Sequence, residues 1–153
     1  MKYDHVPDHV LALYEKLRAQ YFPELANAKI LFLVNNKKMM RKGSLALGRI
    51  MRPSQLVKFL SRNDAPEDGY DYVMLLDGKL VAHCEDADLE RVLRHELRHA
   101  FFDADSIANP YKLVDHDFGD FYAEVELNKN DPTWAQRVAT TVSLMYDQEK
   151  DQK

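Results

Sequence analysis

Apolar residues recur at helical spacing from Asp8 to Tyr21, through Val10, Leu11, Leu13, Tyr14, Leu17 and Tyr21, until Pro23 ends the pattern. This predicts a first helix. Lys29 to Val34 is then an unbroken apolar run of strand formers that stops at the polar Asn35-Asn36-Lys37-Lys38, which reads as a buried strand. Leu45, Leu47, Ile50 and Met51 are interleaved with Ser44, Ala46 and Gly48, the signature of a second strand with a bulge at Gly48. Leu56, Val57, Phe59 and Leu60 predict a short helical turn before the polar loop from Asn63 to Gly69. Tyr70 to Leu76 is a further strand, and Asp77-Gly78 is a hairpin-type turn that would return the chain as a strand over Lys79 to His83.

A helix starts at Asp86, whose carboxylate can cap the free amides while Asp88 and Glu90 complement the positive end of the helix dipole. Leu89, Val92, Leu93 and Ala100 form its core stripe, and at about 100 degrees per residue His95 and His99 fall together at the edge of that stripe, on the wall of a cleft. Residues 103 to 111 read as a loop. A helix beginning near Asp115 would carry Phe118, Phe121, Tyr122 and Val125, and a last helix from Pro132 to Tyr146 carries Trp134, Val138, Val142 and Met145. The tail from Asp147 is polar and expected to fray. The pattern is that of one α+β domain over residues 1–153: an N-terminal helix, a short and mostly antiparallel sheet, a helix bearing two histidines, and C-terminal helices.

Composition narrows the setting. The 153 residues, 46% hydrophobic and 30% charged, suit a soluble globular chain with one core. A formal net charge of -4 argues weakly against a surface built to neutralise a nucleic-acid backbone, and the basic run Lys37, Lys38, Arg41 and Lys42 reads as a solvated loop, with contact to an acidic partner or nucleic acid as the alternative. Cys84 is the single cysteine, so no disulfide can form within the chain, and a cytoplasmic location is expected. Residues 1–10 lack the basic and apolar regions of a signal peptide, and no apolar run is long enough to span a bilayer. Oligomeric state leaves no mark in the pattern.

The chemistry is concentrated in His95-Glu96-Leu97-Arg98-His99. Positions four apart on a helix face one way, so His95 and His99 can offer two imidazole nitrogens to one metal ion, with Glu96 beside them as general base. Catalytic zinc takes three protein ligands and keeps a position open for water, so the chain must supply a third. Continuation in the metzincin manner would require glycine at 102 and histidine at 105, where the chain has Phe102 and Asp105. Cys84 reads as a small buried hydrophobe. His116 is the strongest candidate, with Glu124 beyond it.

Leu93 to Ala100, followed by Tyr111 to Phe121 and then Trp134, resembles the putative phage metallopeptidase family, in which a His-Glu-Leu-x-His helix is paired with a later His-Asp-x-x-x-Phe segment, here His116 to Phe121. The resemblance implies a small gluzincin-like zincin fold, with zinc held by His95, His99 and His116 and a metalloendopeptidase activity on a peptide or protein substrate. Glu96 would take the proton of the attacking water and pass it to the leaving amine. Asp117, Asp120 or Glu124 could accept the second N–H of a ligand imidazole. Tyr111, Tyr122 or an arginine could stabilise the oxyanion, and the Tyr70 to His83 hairpin could hold an extended peptide. Arg94 departs from the acidic or apolar residue expected before the first histidine and is placed to contact substrate. Phe118, Phe121 and Trp134 are expected in the core, and His5, His9 and His83 on the surface. Two other readings share the motif. One is a zinc-stabilised binding module without catalysis; the other is a DNA-associated protease similar to the SprT-like group, against which the acidic balance and the absence of a cysteine zinc ribbon count.

Overall fold

The computed structural model describes residues 1–62, 68–116 and 120–151. In chain order these form β1 (Tyr3–His5), α1 (Asp8–Tyr21), a 3-10 turn at Pro23–Leu25, β2 (Ile30–Asn35), β3 (Met39–Arg41), β4 (Ser44–Ala46), β5 (Gly48–Met51), α2 (Gln55–Leu60), β6 (Tyr72–Asp77), α3 (Gly78–His83), α4 (Asp86–Leu97), β7 (Ala100–Phe102), β8 (Tyr111–Leu113), α5 (Tyr122–Leu127) and α6 (Trp134–Asp151). The architecture is α+β, a small zincin-like arrangement. A four-stranded sheet in the order β1-β2-β6-β5 is accompanied by two separate hairpins, β3-β4 and β7-β8.

The continuous apolar runs occupy the middle of the sheet. β2 pairs with β6 in parallel, Ile30 opposite Tyr72 through Asn35 opposite Asp77, while both outer pairings are antiparallel. All six residues of β6 are buried, as expected for a strand with neighbours on both sides. Tyr72, Met74 and Leu76, with Phe32, Val34 and Ile50, join Val10, Tyr14 and Leu17 of α1, Leu89, Val92 and Leu93 of α4, and Trp134, Val138 and Val142 of α6 in one hydrophobic cluster. At about 25 cal/mol per Å² of apolar surface removed from water, this cluster supplies most of the drive to fold. α4 is thereby packed across the sheet next to β5.

Several elements differ from the sequence pattern, each for a local reason. Asp77-Gly78 makes no hairpin: the Asp77 Oδ1 accepts from the amides of Lys79 (2.8 Å) and Leu80 (3.0 Å), and this cap starts the helix α3 where a returning strand was expected. The stretch Ser44 to Met51 is two strands, because β4 turns back on an unanticipated β3 through Lys42 and Gly43, which take φ of 51° and 80°. Asp86 does not cap α4. Glu85 holds the capping position without a side-chain bond, Asp86 lies in the first turn, and Asp88 is buried against Arg91 and Arg137. α4 ends at Leu97, so Ala100 opens β7. α5 begins only at Tyr122, leaving Asp115 and His116 outside any helix, while Phe118 lies outside the described residues. The C-terminal tail remains helical to Asp151, where Glu149 pairs with Lys79 at 2.7 Å. Phe121 and Trp134 are buried as expected, and His5, His9 and His83 are exposed.

Candidate metal centre

His95 sits in the last turn of α4, and His99 stands two residues beyond its end. The two still face one way, because Arg98 keeps helical angles (φ -64°, ψ -22°) and the His99 amide donates to the Glu96 carbonyl at 3.1 Å. The ring centroids are 5.6 Å apart. After the β7-β8 hairpin the chain returns to the same place. The Val114 amide donates to the His99 carbonyl (2.6 Å), and the His99 Nδ1–H donates to the Val114 carbonyl (2.7 Å). The Tyr72 hydroxyl, fully buried on β6, pins the hairpin by donating to the Lys112 carbonyl at 2.8 Å. This double tether delivers His116, two residues after Val114, to the pair.

The outcome is a three-imidazole cluster. One ring nitrogen from each of His95, His99 and His116 lies within 4.8 Å of the others, and the His95 and His116 Nε2 atoms are 2.9 Å apart. A carbonyl oxygen only accepts, so the Val114 contact fixes the proton of His99 on Nδ1 and leaves the Nε2 lone pair of the neutral ring for a ligand. His95 is oriented in the same manner by Asp120, whose Oδ1 is 2.8 Å from Nδ1. These are the partners that imidazoles bound to a metal require on their other nitrogen. Nitrogen donors on a first-row divalent ion, each about 2.0–2.1 Å from it, stand roughly 3.3 Å apart in tetrahedral geometry, so the cluster has the size and chemistry for such an ion. Phe121 closes the inner side, with its ring centroid 5.6, 5.0 and 5.3 Å from those of His95, His99 and His116.

Electrostatics act on His95 and His116 in opposite directions. Burial, reinforced by the neighbouring His95 and His99, pushes the His116 pKa down, toward the neutral form that binds metal. Burial also opposes charge on His95, but the hydrogen bond to Asp120 and the charges of Glu96, Asp120 and Glu124 outweigh it and move that pKa up. Asp120 is held below the usual carboxylate range, its hydrogen bond with His95 and the Phe121 amide exceeding the cost of its burial. Glu96 is half-buried, and desolvation raises its pKa against the opposing pull of His95, His99, the Ile50 amide and Arg41. That amide belongs to an edge. Leu47 uses its carbonyl to accept from Asp77, so the odd positions of β5 face β6, and the backbone groups of Gly48 and Ile50 point outward beside Glu96. Gly48 permits this approach, since a Cβ there would lie 3.0 Å from Val92 Cγ1 and 3.1 Å from Glu96 Cγ.

The remaining candidates fall elsewhere. Glu124 is fully buried, accepting from Arg94 at 3.0 Å and from Arg98 at 2.9 Å, so it ties α5 to α4 instead of joining the cluster. Arg94, expected to reach substrate, is buried in that network and also donates to Asn128 at 2.7 Å. Cys84 is packed against the hydrophobic cluster, and Asp105 sits in the loop before β8. Asp117 lies outside the described residues. Tyr111 packs on Tyr72 and Phe102, while Tyr122 is exposed on α5 and lines neither part of the cleft. The arginine beside the centre is Arg41, carried by the β3-β4 hairpin; nothing local in the sequence marks it, because its position comes from the fold of that hairpin. The Val114 carbonyl was equally invisible, having no side-chain signature.

A sequence profile of the putative phage metallopeptidase family matches residues 3–145. The chain belongs to this family. As a putative phage metallopeptidase it carries both halves of the motif pair in one cleft, and a metallopeptidase-like function acting on protein with the aid of a metal ion follows from the family and the histidine cluster. No curated protein and no solved structure matches the chain. Among the described residues no helix is long and apolar enough to cross a membrane.

Proposed function

We propose that this phage metallopeptidase is a zinc-dependent endopeptidase, acting as one catalytic domain, with His95, His99 and His116 as the metal ligands and Glu96 as the general base. The observation that carries the reading is the convergence of three imidazole nitrogens, two of them with their other nitrogen already engaged, next to the Glu96 carboxylate, which stands outside the cluster. Bound zinc would supply Lewis acidity, which acidifies water and polarises a carbonyl. The raised pKa of Glu96 suits a group that must take a proton from water and release it to the leaving amine within one cycle. Arg41 places a positive charge beside Glu96 and His116, suited to the oxyanion.

The outward edge of β5 takes the role first assigned to the Tyr70 to His83 hairpin. β6 is flanked on both sides and cannot accept another strand, whereas the backbone groups of Gly48 and Ile50 point away from β6 at the cleft, the Ile50 amide toward Glu96. A substrate peptide laid along β5 would present its scissile carbonyl to the histidine cluster. The test couples metal analysis with a peptide library. Zinc is expected at one per chain in both wild type and Glu96→Gln, with cleavage lost only in the variant. One zinc per chain with wild type and variant equally inert would leave a metal-stabilised module in place of an enzyme.

A further inference from the structure

The cleft has two arms of opposite character that meet at Arg41, Ala46, Gly48 and Glu96. The larger, about 730 Å³, extends from His99 and Glu96 past β5 and Leu75 of β6 to Asn35 of β2 and Tyr3 of β1, and its walls include Lys2, Lys37, Lys38, Arg41 and Arg49. Among the described residues its acidic lining is Glu96 and Asp115. The chain carries 25 acidic residues to 21 basic ones, so this excess of cations is local and opposes the charge of the whole. These five side chains are exposed, and among the described residues none makes an ion pair, whereas Arg91, Arg94, Arg98 and Arg137 on the other elements are each paired with a carboxylate. Unpaired cations crowded along a concave wall repel one another and focus a positive potential into it, a cost relieved when an anionic ligand enters. The smaller arm, about 280 Å³, is lined by Leu45, Leu47, Val92, Trp134, Ala135 and Ala139 among others, a chamber suited to an apolar side chain.

We infer that the substrate is a polypeptide with an acidic stretch on one side of the scissile bond, received by Lys37, Lys38, Arg41 and Arg49, and an apolar side chain on the other. This rests on the endopeptidase reading for the cut itself, but the recognition of an acidic ligand stands on the groove alone. A peptide fits the surroundings better than a nucleic acid. The groove starts beside the outward backbone edge of β5, which pairs with an extended chain, and it carries the apolar Met39, Met40, Ile50 and Met51 between its cations.

Binding separates this inference from catalysis. Full-length, zinc-loaded Glu96→Gln protein is titrated by fluorescence anisotropy with labelled peptides in which a central Leu-Ala pair is preceded by four Glu, four Gln or four Lys, with the reversed orders included, and with a labelled oligonucleotide. The Glu-bearing peptide is expected to bind about tenfold more tightly than the Gln peptide at low salt, an advantage that shrinks toward 1 M salt. Lys38→Glu/Arg49→Glu should invert the preference toward the Lys peptide, with circular dichroism unchanged because both side chains are exposed. Equal binding of the three peptides, or no inversion in the double variant, overturns the inference. Tighter binding of the oligonucleotide than of the Glu peptide overturns it in favour of nucleic acid. Selective acidic-peptide binding with no cleavage by the wild type sustains the inference and removes the endopeptidase reading, so the two fail separately.

Discussion

At the scale of single residues, the centre depends on groups that hold the imidazoles as much as on the imidazoles themselves. His116→Ala removes one of three donors, and zinc affinity measured by competition with a chelating dye is expected to fall at least a hundredfold; unchanged affinity would dismiss His116 as a ligand. Asp120→Asn can no longer receive the His95 proton as a carboxylate, and a loss of about 10–100-fold in metal affinity is expected with the fold intact. Gly48→Val tests the close approach of β5 to α4. Its side chain would press on Val92 and on Glu96, so both a drop of about 1–3 kcal/mol in unfolding free energy and a loss of peptidase activity are expected. The two histidines and their glutamate could be read in the sequence because their spacing encodes their chemistry, whereas His116 stood out through the His-Asp-x-x-x-Phe segment of the family. Arg41 and the Val114 carbonyl could not. A hairpin and a backbone group acquire their roles only from what they are folded against.

Among the elements, α4 is the hub. It takes its stripe of Leu89, Val92 and Leu93 into the core, its end presents His95, and its buried Arg94 and half-buried Arg98 both lock onto Glu124 of α5. Glu124→Ala would leave two guanidinium groups without their carboxylate, one of them buried, and a destabilisation of about 3–5 kcal/mol in chemical denaturation is expected. Periodicity found α1, β2, β6 and α4, each of which carries an uninterrupted apolar pattern and buries it. It failed at α3 and at the start of α5 for a definite reason. Asp-Gly is compatible both with a hairpin turn and with a capping aspartate followed by a helix, and the side-chain bonds of Asp77 to Lys79, Leu80 and, at 2.6 Å, the Tyr146 hydroxyl decide for the helix. The Tyr146 hydroxyl lies on α6, 69 residues away, so a local reading of Asp77-Gly78 does not contain it.

For the whole molecule, acid stability should report the ion pairs that join α4 to α6. Asp88 is held below its ordinary value, chiefly by hydrogen bonds from Arg137 and then from Arg91, against the cost of burial. Its depressed folded pKa means a contribution that is complete above about pH 4 and is lost as pH falls through the folded value. The denaturant midpoint of the wild type is therefore expected to fall as pH drops below about 4, and Asp88→Asn should start lower at pH 7 and decline less steeply.

The hydrophobic pattern by itself determined the α+β class, the central strands and the helix that carries His95 and Glu96, because burial periodicity and metal-ligand spacing are properties of neighbours along the chain. Only the tertiary structure decided that His116 meets that pair, that Glu124 serves two arginines instead of joining the cluster, that β5 and not β6 is the open edge, and that Lys37, Lys38 and Arg41 of the basic run line the cleft. Each of these depends on which distant segments share a surface. The 21-residue return from His95 to His116 is closed by Tyr72 and by the paired bonds of His99 with Val114, contacts that exist once the sheet is assembled and have no counterpart in the linear order of side chains.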